Sequence, residues 1–119
     1  MKKTIVLGAS ENPERYSFLA VQRLTKYHHP VIAIGKKIGM IGEVPIITNH
    51  PAEKEVDTVS LYLNPTLQKE YYPYILSLHP KRIIFNPGTE NDELADLAKQ
   101  NGIQVLEACT LVMVNTGQY

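Results

Sequence analysis

Five short apolar runs recur along the chain: Ile5-Val6-Leu7, Val31-Ile32-Ala33-Ile34, Val59-Ser60-Leu61-Tyr62-Leu63, Ile83-Ile84-Phe85 and Val105-Leu106. They are rich in β-branched residues, none carries a charge, and Gly, Pro or Asn bounds most of them. A strand with one wet face alternates apolar and polar residues. Unbroken runs this short belong instead to strands buried on both faces, as in a parallel sheet covered by helices.

The intervals between the runs carry the matching helices. Ala20, Val21, Leu24 and Tyr27 form one apolar stripe at helical spacing; Leu67, Tyr71, Tyr74, Ile75 and Leu78 form a second; Leu94, Leu97 and Ala98 form a third. The third helix is the best punctuated, with Thr89 and Asn91 as N-cap candidates, Asp92 and Glu93 near the positive end of its dipole, and Gly102 for a left-handed stop. Pro73 removes a helix hydrogen bond, so a kink or a helix start is expected near Tyr72. From Lys36 to Thr48, Gly39, Gly42 and Pro45 predict a turn and a short extended excursion, followed by an irregular crossover with at most a short helix over 52–55. Strands alternating with helices imply right-handed crossovers. The expected fold is therefore a Rossmann-like three-layer α/β arrangement with a five-stranded, mostly parallel sheet.

Length sets the scale: 119 residues bury one core and are too few for two ordinary domains, so a single domain over 1–119 is expected. Basic and acidic side chains balance at 12 each, which gives no broad positive field for a nucleic-acid partner. Cys109 is the only cysteine, so neither an internal disulfide nor a thiol pair for zinc is available. No stretch reaches membrane-spanning length or reads as a signal peptide. A cytoplasmic protein with no membrane partner is the expectation.

In a sheet of this kind, ligands bind beyond the carboxyl ends of the strands, near the point where strand order reverses. The residues there are Gly8-Ala9-Ser10, Gly35-Lys36-Lys37, Asn64-Pro65, Asn86-Pro87-Gly88-Thr89 and Glu107-Ala108-Cys109. Gly8 allows a tight turn, Ser10 offers a hydroxyl, and a helix beginning near Pro13 would aim free N–H groups at an anion. A single glycine in such a turn is also compatible with a purely structural role. An NAD site would place a carboxylate after the second strand, where this chain has Lys36 and Lys37. Lysines there suit an extra phosphate on the adenosine ribose, as in NADP or coenzyme A, unless they are simply solvated. Arg15 opposes the helix dipole at the first helix start, a cost that a bound anion, or Glu11 or Glu14, would offset. Cys109 reads either as a thiol facing the same groove or as an inert small hydrophobe. His28, His29, His50 and His79 read as surface residues without metal-ligand spacing, and no Ser-His-Asp pattern is legible.

The segments "VLGASENPERYS", "GEVPIITN", "VSLYLNP", "IIFNPGTENDELADLAKQNGI" and "EACTLVM" together resemble the stand-alone CoA-binding proteins of bacteria. These are in turn similar to the N-terminal CoA-binding domain of the succinyl-CoA synthetase alpha subunit and of ADP-forming acyl-CoA synthetases. The resemblance covers essentially the whole chain. It implies that Gly8, Ala9 and Ser10 form the first CoA loop with Arg15 and Tyr16 beside it, and that Gly35, Lys36 and Lys37 form a phosphate-facing turn. It also implies that Leu63, Asn64 and Pro65 flank the nucleotide, that Asn86, Pro87, Gly88 and Thr89 accompany the pantetheine arm, and that Cys109 lies near the thiol end. The synthetases' glycine-rich first loop is reduced here to Gly8-Ala9-Ser10, the spacing from Lys36 to Val44 differs, and no residue matches the synthetase phosphohistidine.

The leading expectation is therefore non-catalytic binding of coenzyme A or an acyl-CoA, as carrier, sensor or partner of a separate enzyme. Two alternatives stand beside it: an enzyme acting on a CoA thioester through Cys109, and an NADP-binding regulatory module. Tyr62, Tyr71, Tyr72 and Tyr74 either line a homodimer surface or belong to the core.

Overall fold

In chain order the elements are β1 (Thr4–Leu7), α1 (Tyr16–Lys26), β2 (Val31–Ile34), β3 (Gly39–Ile41), β4 (Val44–Ile47), β5 (Thr58–Leu61), α2 (Pro65–Gln68), α3 (Tyr72–Ser77), β6 (Arg82–Phe85), α4 (Asp92–Gln100), β7 (Gln104–Glu107) and α5 (Thr110–Asn115). This is a computed structural model, and it describes residues 1–119. The strands form one sheet in the order β3-β4-β2-β1-β5-β6-β7, parallel throughout except for β3 against β4. From β1 the chain moves outward to β2, β3 and β4, then returns to place β5 on the other flank of β1. The strand order therefore reverses between β1 and β5.

The unbroken apolar runs are explained by the two cores. Ile5 and Leu7 point to one face, where they meet Leu61, Ile83 and Phe85 and the helix residues Ile75, Leu94 and Ala98. Val6 points to the other, among Ala33, Ile46, Val21 and Leu24 of α1 and Val114 of α5. Successive strand residues alternate faces and both faces are covered, so both are mainly apolar, and the buried polar strand residues Thr4, Thr58, Ser60 and Arg82 are hydrogen-bonded.

Seven strands stand where five were expected. The additional pair comes from the Lys36–Thr48 stretch: β3 and β4 are joined by Gly42-Glu43, with Gly42 at φ +59°, and pair through Met40 opposite Pro45 and Ile41 opposite Val44. This is the expected turn and extended excursion; Pro45 lacks an N–H donor and breaks the apolar run, which is why the sequence does not announce that it joins the sheet. β4 also pairs in parallel with β2, which carries the sheet two strands further. No helix forms over 52–55; that stretch is irregular.

Local punctuation explains the helix limits. The run from Lys69 to Tyr71 is a single 3-10 turn, and α3 starts at Tyr72 with Pro73 in its first turn, where the missing N–H costs nothing. In α4, Asn91 rather than Thr89 is the cap: its Oδ1 accepts from Leu94 N at 3.3 Å, whereas the buried Thr89 hydroxyl donates to Asn86 O at 2.7 Å. Gly102 takes the left-handed conformation at φ +73°. α1 begins at Tyr16 and not near Pro13, because two local bonds build a separate turn first: Ser10 Oγ accepts from Asn12 N and Asn12 Oδ1 from Glu14 N. Tyr27, expected on the apolar stripe of α1, is exposed beyond its end.

Two of the four histidines are built into the fold. Half-buried His29 accepts from Lys2 N through Nδ1 at 3.0 Å and meets the Tyr119 ring edge-on. His50, although exposed, packs against the rings of Tyr71 and Tyr74. The tyrosines are engaged within the chain too: Tyr71 is buried, Tyr72 donates to Glu93, and Tyr74 donates to Pro51 O.

Candidate functional site

At the carboxyl ends of β2, β1, β5 and β6 lies an open groove of about 990 Å³. Adjacent strands are about 4.8 Å apart, so the four turns span roughly 14 Å, enough for an extended ligand. The groove crosses the point where strand order reverses, the position at which open α/β sheets take ligands.

The first turn is set by backbone geometry. Gly8 has φ +95°, and a Cβ there would lie 3.0 Å from the Tyr62 carbonyl carbon and 3.1 Å from Leu63 Cδ2. Gly8 N and Ala9 N both donate to Ile34 O at 2.9 Å, which ties this turn to the end of β2. Gly35 completes the junction: a Cβ on it would collide with Ala9 O. Arg15 is then the extended residue at the N-cap of α1, a helix with no side-chain cap and no acidic residue in its first turn.

Charge is distributed unevenly along the groove. Arg15, Lys36 and Lys37 line the end formed by the β1 and β2 turns, all exposed. None of the three forms an ion pair; the two ion pairs of the molecule, Lys3–Glu53 and Arg82–Asp57, lie elsewhere. Of the two carboxylates at this end, Glu11 is engaged through Oε2 by Met40 N at 3.1 Å, across a gap that Gly39 leaves open. The other end, built from the β5 and β6 turns, is lined by Tyr62, Leu63, Asn64, Leu67, Pro87, Gly88 and Thr89, without a charged side chain.

This uncharged end stands on a buried amide framework. Asn86, 1% exposed, donates through Nδ2 to Ser60 Oγ and Leu61 O and accepts from Thr110 N through Oδ1, all within 2.9 Å. Ser60 and Thr110 share a hydroxyl hydrogen bond of 2.8 Å. Beside them the Tyr62 hydroxyl is buried without a partner of hydrogen-bonding geometry, and burial pushes its pKa up to about 12. Gln68 donates to Leu63 O and Thr89 O, bridging the two turns.

Of the residues expected from sequence, Gly8, Ala9, Ser10, Arg15, Tyr16, Lys36, Lys37, Leu63, Asn64, Pro87, Gly88 and Thr89 line one groove. Gly35, Pro65, Asn86 and Cys109 do not. Gly35 and Asn86 shape the walls from behind, Pro65 opens α2 after the Asn64 cap, and half-buried Cys109 is the N-cap of α5. Sequence reasoning missed Glu11, Asn12, Glu14, Ser17, Tyr62 and Leu67 as lining residues, and Gln68 beneath them. The first four lie in or next to the quoted first loop and were within reach. Gln68 was not, since its partners are its own turn and a residue 21 positions away. No cluster of three or more His, Cys, Asp or Glu side chains is arranged to hold a metal ion.

The fold is of the Rossmann-like α/β class, and a groove at the reversal point of a parallel sheet is where proteins of that class take their ligands. The family is narrower: the CoA binding domain model matches residues 2–115, and the chain belongs to that family. Among solved structures, an uncharacterized protein is 49% identical, with a TM-score of 0.97 over 100% of this chain and 98% of its own. A hypothetical protein from Pyrococcus horikoshii is 21% identical with a TM-score of 0.86, over 97% of this chain and 82% of that one. A Thermus thermophilus protein is 20% identical with a TM-score of 0.84, over 99% and 91%. These last two are similar in fold. No curated protein sequence matches the chain significantly.

Proposed function

We propose that the groove binds coenzyme A or an acyl-CoA, with the phosphates at the Arg15, Lys36 and Lys37 end and the pantetheine arm along the β5 and β6 turns. The observation that carries this reading is the three unpaired cations at one end of a groove whose other end is uncharged. A ligand with its phosphates concentrated at one end and a long neutral amide arm matches that polarity, and membership of the CoA binding domain family supports it. Lysines replace the carboxylate that an NAD ribose would need, which disfavours NAD.

The role is non-catalytic: a carrier, a sensor, or the CoA-holding partner of a separate enzyme, working as one domain in the cytoplasm. Cys109 is assigned no chemistry, because its thiol is not part of the groove lining. Backbone N–H groups at the uncapped start of α1 add to the phosphate end. Calorimetric titration with CoA, acetyl-CoA, NADP and NAD tests the reading. Binding of both CoA species is expected; binding of NADP without CoA overturns it.

A further inference from the structure

Gln68 is fully buried although it ends a helix of four residues, α2, next to exposed Lys69. Both polar atoms of its amide are engaged. Nε2 donates at 2.8 Å both to Leu63 O, in the β5 turn, and to Thr89 O, in the β6 turn, while Oε1 accepts at 2.8 Å from Asn91 Nδ2. Leu63 and Thr89 both line the uncharged end of the groove. The amide thus bridges two walls that no strand pairing reaches, since β5 ends at Leu61 and β6 at Phe85.

Asn91 decides which way this amide points. With its own Oδ1 committed to Leu94 N at the start of α4, it has only its N–H groups to offer Gln68, so Gln68 must present oxygen to Asn91 and nitrogen to the two carbonyls. A flipped amide would set Oε1 against two carbonyl oxygens and Nε2 against a donor. Tyr72 OH, which accepts from Asn91 Nδ2 and donates to Glu93 Oε1, fixes Asn91 further.

We infer that Gln68 is a positioning residue, oriented by Asn91, that sets the separation of the β5 and β6 turns and through it the affinity for the neutral arm of the ligand. Gln68 makes no hydrogen bond to the β1 and β2 turns, which lie one to three strands away, so recognition of the phosphate end should change much less. This inference rests on the reading of the groove as a CoA site.

The test compares CoA with adenosine 3′,5′-bisphosphate, which carries phosphates but no pantetheine arm, by calorimetry on the full chain and on Gln68→Met and Asn91→Asp. Wild type is expected to bind both. In Gln68→Met, CoA should weaken about tenfold while the bisphosphate stays within about twofold, a split that mere loss of folded protein does not produce. Asn91→Asp retains the cap on Leu94 N but loses the donor to Gln68. It should show the same split at about threefold, which keeps the idea testable should Gln68→Met fail to fold. Equal weakening of both ligands, or unchanged CoA affinity in the folded variants, overturns the role of Gln68 alone. Absence of CoA binding by wild type overturns the CoA reading, and this inference with it.

Discussion

The two ends of the groove are built on opposite principles. At the β1 and β2 turns, Arg15, Lys36 and Lys37 stand exposed on flexible stems without ion-pair partners, and only the backbone beneath them is fixed, by Gly8, Gly35 and two bonds to Ile34 O. At the β5 and β6 turns the wall stands on two buried amides, Gln68 and Asn86, each hydrogen-bonded to three partners. The difference teaches what each end can recognise. Free cations select charge and tolerate small displacements, whereas a rigid uncharged wall selects shape. It follows that substitutions should separate into those that alter folding and those that alter binding.

The largest effect on stability is expected at Asn86. Asn86→Ala leaves Ser60, Leu61 O and Thr110 N short of a partner in the interior and should lower stability by about 3 kcal/mol, read as a shift in the urea midpoint. Lys36→Ala with Lys37→Ala, by contrast, should leave that midpoint within about 0.5 kcal/mol. Comparable losses in both variants would erase the distinction between the two ends.

Next comes the floor of the cationic end. Gly35→Ala drives a methyl group into Ala9 O, so the first turn must shift, at a cost of about 2 kcal/mol. Thermal denaturation reads it; an unchanged midpoint would mean that the Gly8-Ala9 turn is not held as described.

Away from both ends, His29 supplies a pH response. Burial first, then the amino terminus, Lys2 and Arg82, hold its imidazole below the usual 6.5. As pH falls through 6.5 the unfolded chain takes up the proton before the folded one, so stability is full above that value and declines below it, until the lower folded pKa is passed. A urea series from about pH 7.5 downward should show this decline, and His29→Gln should flatten it. An unchanged slope in the variant would assign the acid response elsewhere.

The smallest effect is expected at Tyr62. Its hydroxyl is buried without a partner, so Tyr62→Phe should be neutral or stabilising by up to about 1 kcal/mol, and it should remove one tyrosine titrating near pH 12 in the ultraviolet. Destabilisation by Tyr62→Phe would mean that the hydroxyl is bonded to Ser60 or Thr110 after all.

The same contrast explains what the sequence could disclose. The double-sided burial of Ile5-Val6-Leu7 and Ile83-Ile84-Phe85 is legible because it depends only on the strand's own period. The cationic end is legible for a similar reason: Lys36 and Lys37 follow β2 directly, and position after a parallel strand places a residue at the ligand edge. The β3–β4 hairpin is half legible: Gly39, Gly42 and Pro45 announce its turn and extended chain, but Pro45 breaks the apolar run and the pairing depends on a flank of β2 that the sequence leaves open. The buried wall is hidden more deeply. Gln68 and Asn91 are ordinary polar residues on helix ends until the fold brings Leu63 and Thr89 to either side of one amide. Asn86 resembles a ligand-facing residue in the sequence because it precedes the exposed Pro87 and Gly88, yet its own side chain turns inward.

The central claim is that the Lys36 and Lys37 end reads phosphate while the β5 and β6 end reads the neutral arm. Calorimetric titration of wild type and the Lys36→Ala, Lys37→Ala double variant, each with CoA and with dephospho-CoA, tests it most directly. The lysine substitutions are expected to weaken CoA by about 1.5 to 3 kcal/mol for each lysine–phosphate hydrogen bond removed, and dephospho-CoA by much less. Equal weakening of the two ligands, or none of either, would contradict it.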